Sequence, residues 1–207
     1  MITNFKIGVN KIYLDCRKPL PFEDNSIDLV ITDPPWPFNL RISKNSKSVK
    51  ATDFQIMTWE ELKMFFKELY RVLKERCHSY IFCPPILLTE ALGIIKDSGL
   101  NICQFLFWDK LRMGLGHLYR NQVEVIILLS KGFRKKIKSK NIRNIFYIKS
   151  TKGSVKPVEL YELFVDQSSN PGDVVLDPFS GSGPLAKVSF KDRILILGDI
   201  TYNLNES

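Results

Sequence analysis

Residues 26–36 read Ser26-Ile27-Asp28-Leu29-Val30-Ile31-Thr32-Asp33-Pro34-Pro35-Trp36, a short β-branched run that stops in an acid, two prolines and a tryptophan. β-Branched side chains favour extended backbone and prolines end it, so the segment predicts a strand whose C-terminal end carries Asp33. Open α/β sheets bind ligands outside the C-terminal ends of their strands. Asp33, Pro34, Pro35 and Trp36 are therefore catalytic candidates by position. A lone Asp-Pro-Pro is in itself only a rigid turn closing a strand, and its weight comes from what surrounds it.

Outward from this segment the chain keeps a β-α-β rhythm. Lys11 to Asp15 alternates into an acid, and Ser79–Cys83, Asn101–Trp108, Gln122–Ser130, Asp173–Asp177 and Arg193–Asp199 read as further strands. Thr58-x-x-Glu61 is a capping box opening a helix with Leu62, Phe65, Phe66, Leu69 and Leu73 on one face. Thr89 to Ser98 predicts a second helix stopped by Gly99, and Pro157 to Asp166 a third with Leu160, Leu163 and Phe164 inward. Only the Gly-rich 110–121 separates the strands at 101–108 and 122–130, which predicts an antiparallel edge hairpin. The fold class is α/β, a mostly parallel, doubly wound sheet in one domain over 1–207. No repeat or linker divides the chain, and 131–154 is a short basic insertion.

A second motif, Asp177-Pro178-Phe179-Ser180-Gly181-Ser182-Gly183, also follows a predicted strand, and its glycines permit a tight turn with close backbone approach to a ligand. The next strand ends at Gly198-Asp199, where ribose hydroxyls are commonly held. Glycine turn and acid together form a nucleoside-binding pair. At the first motif, Asp33 and the carbonyl of Pro34 offer two acceptors that grip an amino group through both hydrogens. Such a grip draws a conjugated amine toward tetrahedral geometry, and Trp36 offers a flat face for stacking a base.

Thirty Lys and Arg stand against 22 Asp and Glu, a formal charge of +8, which makes nucleic acid the natural partner. No window approaches the roughly 18 apolar residues of a membrane helix and the N-terminus lacks a secretory signal pattern, so a soluble, cytoplasmic protein is expected. Cys16, Cys77, Cys83 and Cys103 lack ligand spacing and read as reduced, mostly buried small hydrophobes. His78 and His117 lack partners at ligand spacing, and no metal site is expected.

The segments YLDCRKPLPFEDNSIDLVITDPPW (13–36) and KPVELYELFVDQSSNPGDVVLDPFSGSG (156–183) resemble the β-class amino-methyltransferases. So do Tyr70-Arg71-Val72-Leu73-Lys74 and Arg120-Asn121-Gln122-Val123-Glu124. Chains of that family run in permuted order from a DPPY-like catalytic motif to an FxGxG cofactor motif, and the resemblance covers nearly the whole chain. It implies a Rossmann-like fold, S-adenosylmethionine as cofactor, and methyl transfer to an exocyclic amino group of a nucleobase. DNA adenine N6 is favoured, since the sub-branch with DPPW and Asp at this position leans that way. RNA is the principal alternative substrate.

By the same resemblance Asp33 and Pro34 hold the target amino group and Trp36 stacks the base. Phe179, Gly181 and Gly183, with Asp177 before them, shape the cofactor site. Asp199 holds the ribose, Asp15 the adenine side, and Lys156 the cofactor's carboxylate. Three departures stand out: Val155 for the usual His before Lys-Pro, Pro184 for the Thr after GSG, and Trp36 for Tyr.

Lys44, Lys47 and Lys50, in a polar segment beside the first motif, and Arg134, Lys135 and Lys136 in the basic run 131–140 are candidate phosphate contacts. Either a partner subunit supplies target recognition, or the enzyme reads little sequence, or its substrate is a structured RNA recognised by shape; a recognition subunit or a homodimer is the protein partner this leaves room for. A catalytically dead scaffold subunit and a nucleotide-binding oxidoreductase are competing readings. The intact Asp33, Pro34 and FxGxG motif speak against the first, and the missing third glycine after Gly183 against the second.

Overall fold

The computed structural model describes residues 5–37, 56–114, 118–133, 136–150 and 155–200. Within them lie β1 (Gly8–Tyr13), β2 (Ile27–Thr32), β3 (Leu73–Cys83), β4 (Asn101–Asp109), β5 (Val123–Ser130), β6 (Ile145–Tyr147), β7 (Val174–Asp177) and β8 (Ile194–Asp199). The helices are α1 (Trp59–Val72), α2 (Leu88–Asp97) and α3 (Val158–Ser168). The strands form one sheet in the order β1-β8-β7-β2-β3-β5-β4-β6.

Every neighbouring pair is parallel except the two that β5 makes, with β3 and with β4. The expected mostly parallel sheet with a β4–β5 hairpin is therefore present. The hairpin is not the edge, because β6 pairs in parallel on the outer side of β4. Three residues are too few to show an alternating pattern, so this strand was not legible in the sequence.

Side chains from the two faces of the sheet feed two separate cores, as period-two alternation demands. Val30 of β2 joins Leu62, Phe65, Phe66 and Leu69 of α1 and Ile95 of α2. Its neighbours Leu29 and Ile31 join Leu160, Tyr161, Phe164 and Val165 of α3. The sheet is thus covered on both faces, and the stretches of its central strands that lie between the two cores, Leu29–Ile31, Tyr80–Cys83 and Val125–Leu129, are apolar because neither face meets water there.

α1 begins as predicted: Glu61 N donates to Thr58 Oγ1 (3.2 Å) and Thr58 N to Glu61 Oε2 (2.7 Å). Leu62, Phe65, Phe66 and Leu69 are fully buried, each contributing about 2 kcal/mol of apolar burial. Leu73 departs from the predicted helical face. The helix stops at Val72, Leu73 turns extended (φ −68°, ψ 133°), and β3 starts there, six residues before the predicted Ser79. Arg76 at φ +67° bends this early part of the strand, and the β2–β3 register shifts opposite it. On α3 the inward residues missed are Tyr161 and Val165, while the expected Leu163 is only partly buried.

All four cysteines are free, with Cys16 and Cys83 buried. Among the described residues no helix is long and apolar enough to cross a membrane.

β1 and β8 approach closely at Gly198, where an added Cβ would lie 2.5 Å from Leu14 Cδ2 and 2.9 Å from Leu14 Cβ. Gly198→Ala is expected to lower the unfolding free energy by about 1–3 kcal/mol through overpacking. In urea titration, Gly198→Ala combined with Leu14→Ala should cost less than the sum of the two single losses, because the second change removes Cδ2, the nearest clashing atom, and leaves only Cβ in close contact.

Candidate active site

Four acids close the C-terminal ends of four parallel strands: Asp15 beyond β1, Asp33 beyond β2, Asp177 on β7 and Asp199 on β8. Parallel pairing of β2 with β7 brings Thr32 and Asp177, 145 positions apart in sequence, to one rim, and pairing of β7 with β8 adds Asp199 beside them. A cleft of about 260 Å³ opens there, lined by Asp15, Asp33, Asp199 and Gly181 and walled by the apolar Leu14, Met57, Phe179 and Ile200.

Asp15 and Asp199 lie on neighbouring strands and face this cleft from one side. Both oxygens of Asp15 accept from Arg17, at 2.8 Å from Nε and 3.0 Å from Nη2, and the guanidinium holds the carboxyl below its usual range. Gly181 adopts φ +45°, a left-handed backbone that admits glycine readily. Acidic acceptors at one end, apolar walls and a backbone bared by glycine fit a nucleoside. Phe179 also packs edge-on against Phe65 at 4.9 Å, which ties this turn to α1.

Asp33 opens onto the same cleft with 34 % of its side chain exposed. Its Oδ2 lies 2.6 Å from Lys156 Nζ, and the same ammonium lies 2.7 Å from Glu124 Oε1. Glu124 Oε2 in turn meets Lys110 at 2.8 Å. The result is a line of alternating charge, Asp33–Lys156–Glu124–Lys110. Desolvation raises the Asp33 carboxyl above its usual range against the opposing pull of Lys156. Desolvation also acts to raise Glu124, but the ammoniums of Lys156 and Lys110 outweigh it and hold this carboxyl low. The two acids are thereby split in proton affinity.

The proline turn is held from within. Trp36 N donates to the Pro34 carbonyl (2.8 Å) and Met57 N to the Pro35 carbonyl (2.9 Å). One lone pair of the Pro34 oxygen remains for a ligand. Trp36 corrects an expectation: it is 5 % exposed, packs against Trp59 and Phe66, and donates its indole N–H to the Phe82 carbonyl at 2.9 Å. It supports the turn from behind and does not line the cleft, so the flat stacking face expected of it is spent on the core.

Three more placements depart from the sequence reading. Lys156 is committed to Asp33 and Glu124 and does not line the nucleoside cleft. Asp177 is fully buried, accepting from Thr32 Oγ1 (2.7 Å), Tyr161 Oη (3.2 Å) and Phe179 N (3.3 Å). It acts on the cleft only by fixing the turn above it. Gly183 shapes the same turn from further off: at φ +67° it precedes a short 3₁₀ turn, Pro184–Lys187, where the missing N–H of Pro184 costs little.

The basic run is placed away from the cleft. β5 is antiparallel, so its end at Ser130 pairs with His78 and Asn101, at the opposite end of the sheet from Asp33. Lys131 turns inward to Asn25 Oδ1 (2.7 Å) and the Tyr70 ring, and Lys138 N bonds Gln167 O at the end of α3. Lys136 is exposed on this far side, so any phosphate it contacts would lie away from the cleft. The other five candidate phosphate contacts, Lys44, Lys47 and Lys50 after the first motif and Arg134 and Lys135 in the basic run, lie outside the described residues. Among the described residues, the charged groups at the cleft are those of the strand ends, Arg17 and the ion line.

Sequence reasoning did not single out Glu124, Lys110, Tyr161 or Thr32 for the site. The only available signal was the acid closing Arg120-Asn121-Gln122-Val123-Glu124 ahead of an apolar strand.

The sequence matches the model of a family described as DNA methylase, N6_N4_Mtase, over residues 27–193. It is 28 % identical over 194 residues to the type II methyltransferase M.HpaI of Haemophilus parainfluenzae, covering 79 % of this chain and 60 % of that protein. The chain thus spans about three-fifths of the length of this relative. Among solved structures, the fold is similar to the M1.HpyAVI–SAM complex, with a TM-score of 0.64 at 21 % identity, covering 92 % of this chain and 93 % of the other. It is also similar to the cytosine-N4-specific PvuII DNA methyltransferase, with a TM-score of 0.72 at 18 % identity, covering 97 % and 88 %.

Burial pushes the Asp177 carboxyl up to about 7 from an ordinary 3.8. Between these values the folded chain holds a proton that the unfolded chain has lost, so this group's contribution to stability falls as pH rises through the window. Asp177→Asn removes that dependence. Urea unfolding at about pH 5 and about pH 8 should show the variant gaining on the parent by about 2–3 kcal/mol at the higher pH.

Proposed function

The chain belongs to the DNA methylase family, and from that premise we propose that it transfers a methyl group from S-adenosylmethionine to the exocyclic amino nitrogen of a base in DNA. The observation that carries this reading is a single cleft that joins the Asp15–Asp199 pair to Asp33 and the Pro34 carbonyl. Adenine N6 is the favoured target, on the strength of aspartate at position 33.

When bound, S-adenosylmethionine supplies an electrophilic methyl on a positively charged sulfur. Asp199 would accept from the ribose hydroxyls, Asp15 would hold the adenine side, and Leu14, Met57 and Ile200, which line the cleft, would exclude water around the apolar parts. Gly181 lets the backbone approach where a side chain would stand. Asp33 Oδ1 and the Pro34 carbonyl accept the two N–H bonds of the base's amino group. That grip turns the nitrogen lone pair out of conjugation and toward the methyl, which is catalysis mainly by orientation. Asp33, raised by desolvation, then takes the proton that the methylated nitrogen must lose, and releases it to solvent.

The test combines calorimetry with incubation of labelled cofactor and DNA, total RNA in parallel, followed by digestion to nucleosides. Label is expected in N6-methyldeoxyadenosine. Asp33→Ala should abolish it while leaving cofactor affinity within about twofold, and Asp199→Ala should weaken cofactor binding about tenfold or more. Label in N4-methyldeoxycytidine would move the target base, label only in RNA would move the polymer, and absence of cofactor binding would overturn the reading.

A further inference from the structure

The ion line behind Asp33 contains more than the reaction as stated requires. One ammonium would suffice to hold one carboxylate, yet Lys156 lies within 2.7 Å of two, and Glu124 within 2.8 Å of two ammoniums. Lys156 and Glu124 are close to fully buried, with 9 % and 10 % of their side chains exposed. Buried charges are retained only when each is paired. Here the pairing runs in one direction, from partly exposed Lys110 inward to the carboxylate that faces the cleft.

We propose that Glu124 and Lys156 are positioning residues for Asp33: Glu124 anchors the Lys156 ammonium, which clamps Asp33 Oδ2 and leaves Oδ1 to accept from the substrate's amino group. This rests on the methyltransfer reading of the same cleft. A lone lysine in contact with Asp33 would orient it but also draw off its negative charge, weakening it as an acceptor. The second carboxylate, on the far side of the same ammonium, restores that charge. Glu124 therefore lets Lys156 fix the geometry of Asp33 without quenching it.

The charged and titratable groups within electrostatic reach of Asp33 come from every element around it. They are Lys156 before α3, Glu124 on β5, Lys110 after β4, Cys83 on β3, Tyr161 on α3 and Asp177 on β7. Burial raises the Cys83 thiol to about 12 and lifts the Tyr161 phenol well above its usual value, so both stay neutral. Asp177 titrates at about 7 and is common to every variant below.

The test follows the Asp33 side-chain carboxyl by ¹³C NMR titration, the resonance being assigned by its loss in Asp33→Asn. Glu124→Gln removes a neighbouring negative charge, so the Asp33 midpoint should move down. Lys156→Met removes the clamp, so the midpoint should move up. Lys110→Met, at the partly exposed end of the line, should give a smaller upward move and remains available if a buried variant fails to fold. In activity assays Glu124→Gln should lower kcat about tenfold or more, shift its acid limb to lower pH, and leave calorimetric cofactor affinity unchanged. An Asp33 midpoint unmoved by Glu124→Gln, or moved the same way by Glu124→Gln and Lys156→Met, overturns the proposal. So does a fall in cofactor affinity that matches the fall in rate. If the parent protein transfers no methyl group, the functional reading fails, while opposite carboxyl shifts still uphold the electrostatic linkage.

Discussion

Thr32 Oγ1 donates to Asp177 Oδ1 over 2.7 Å, fully buried, across 145 residues of sequence. This bond closes the last residue of β2 onto the last residue of β7. Both ligand turns begin at the next position, so the bond fixes where Asp33-Pro34-Pro35 stands relative to Pro178-Phe179. Tyr161 adds a second donor to Asp177 from α3, which brings one covering helix into the same arrangement. The cleft inherits its shape from this buried knot, because the turns on either side have little regular structure of their own. A carboxyl that is partly protonated near neutral pH serves well here, since it satisfies its neighbours without carrying a full charge into the core.

Gathering four acids on one rim would be costly if all four were bare and ionised, and the structure relieves three of them by different means. Arg17 neutralises Asp15 with two parallel bonds at the surface. Asp177 is buried and raised. Asp33 receives an ammonium from the side opposite the cleft. Asp199 remains on the cleft wall beside β1. The acids that face the cleft keep acceptor capacity, and the one that faces only protein, Asp177, is raised to about 7. Environment, more than residue type, sorts four aspartates into distinct tasks.

What the sequence disclosed and what it hid divide along a physical line. The strand at 26–32, the capping box at Thr58 and the glycine turn at 181–183 are local signals, written in consecutive residues, and they appear in the structure where the sequence placed them. The same holds for Asp33, Asp15, Asp199, Phe179 and Gly181 at the cleft. The ion line is not local: Asp33, Lys110, Glu124 and Lys156 come from four separate segments and meet only after the sheet has formed. Lys131 was misleading for the same reason. In sequence it opens a basic run, but in the fold it fills a polar niche between Asn25 and Tyr70. The direction of β5 sets where Lys136 of that run stands, because an antiparallel strand delivers its end to the side of the sheet away from Asp33.

Trp36 shows how a residue can belong to a catalytic motif and act through packing. Its indole N–H is spent on the Phe82 carbonyl near the end of β3, and its ring lies between Trp59 and Phe66 of α1. Its backbone N–H closes the turn on the Pro34 carbonyl. One residue therefore joins the proline turn to the neighbouring strand and to the helix that covers it. A smaller ring bearing a hydroxyl would place its polar atom differently and leave part of the apolar volume unfilled, at a cost that close-packed interiors do not absorb easily. The larger indole is thus accounted for by the support of Asp33. A ligand that enters the cleft meets a carboxylate whose backbone is held by Trp36 and whose side chain is held by Lys156.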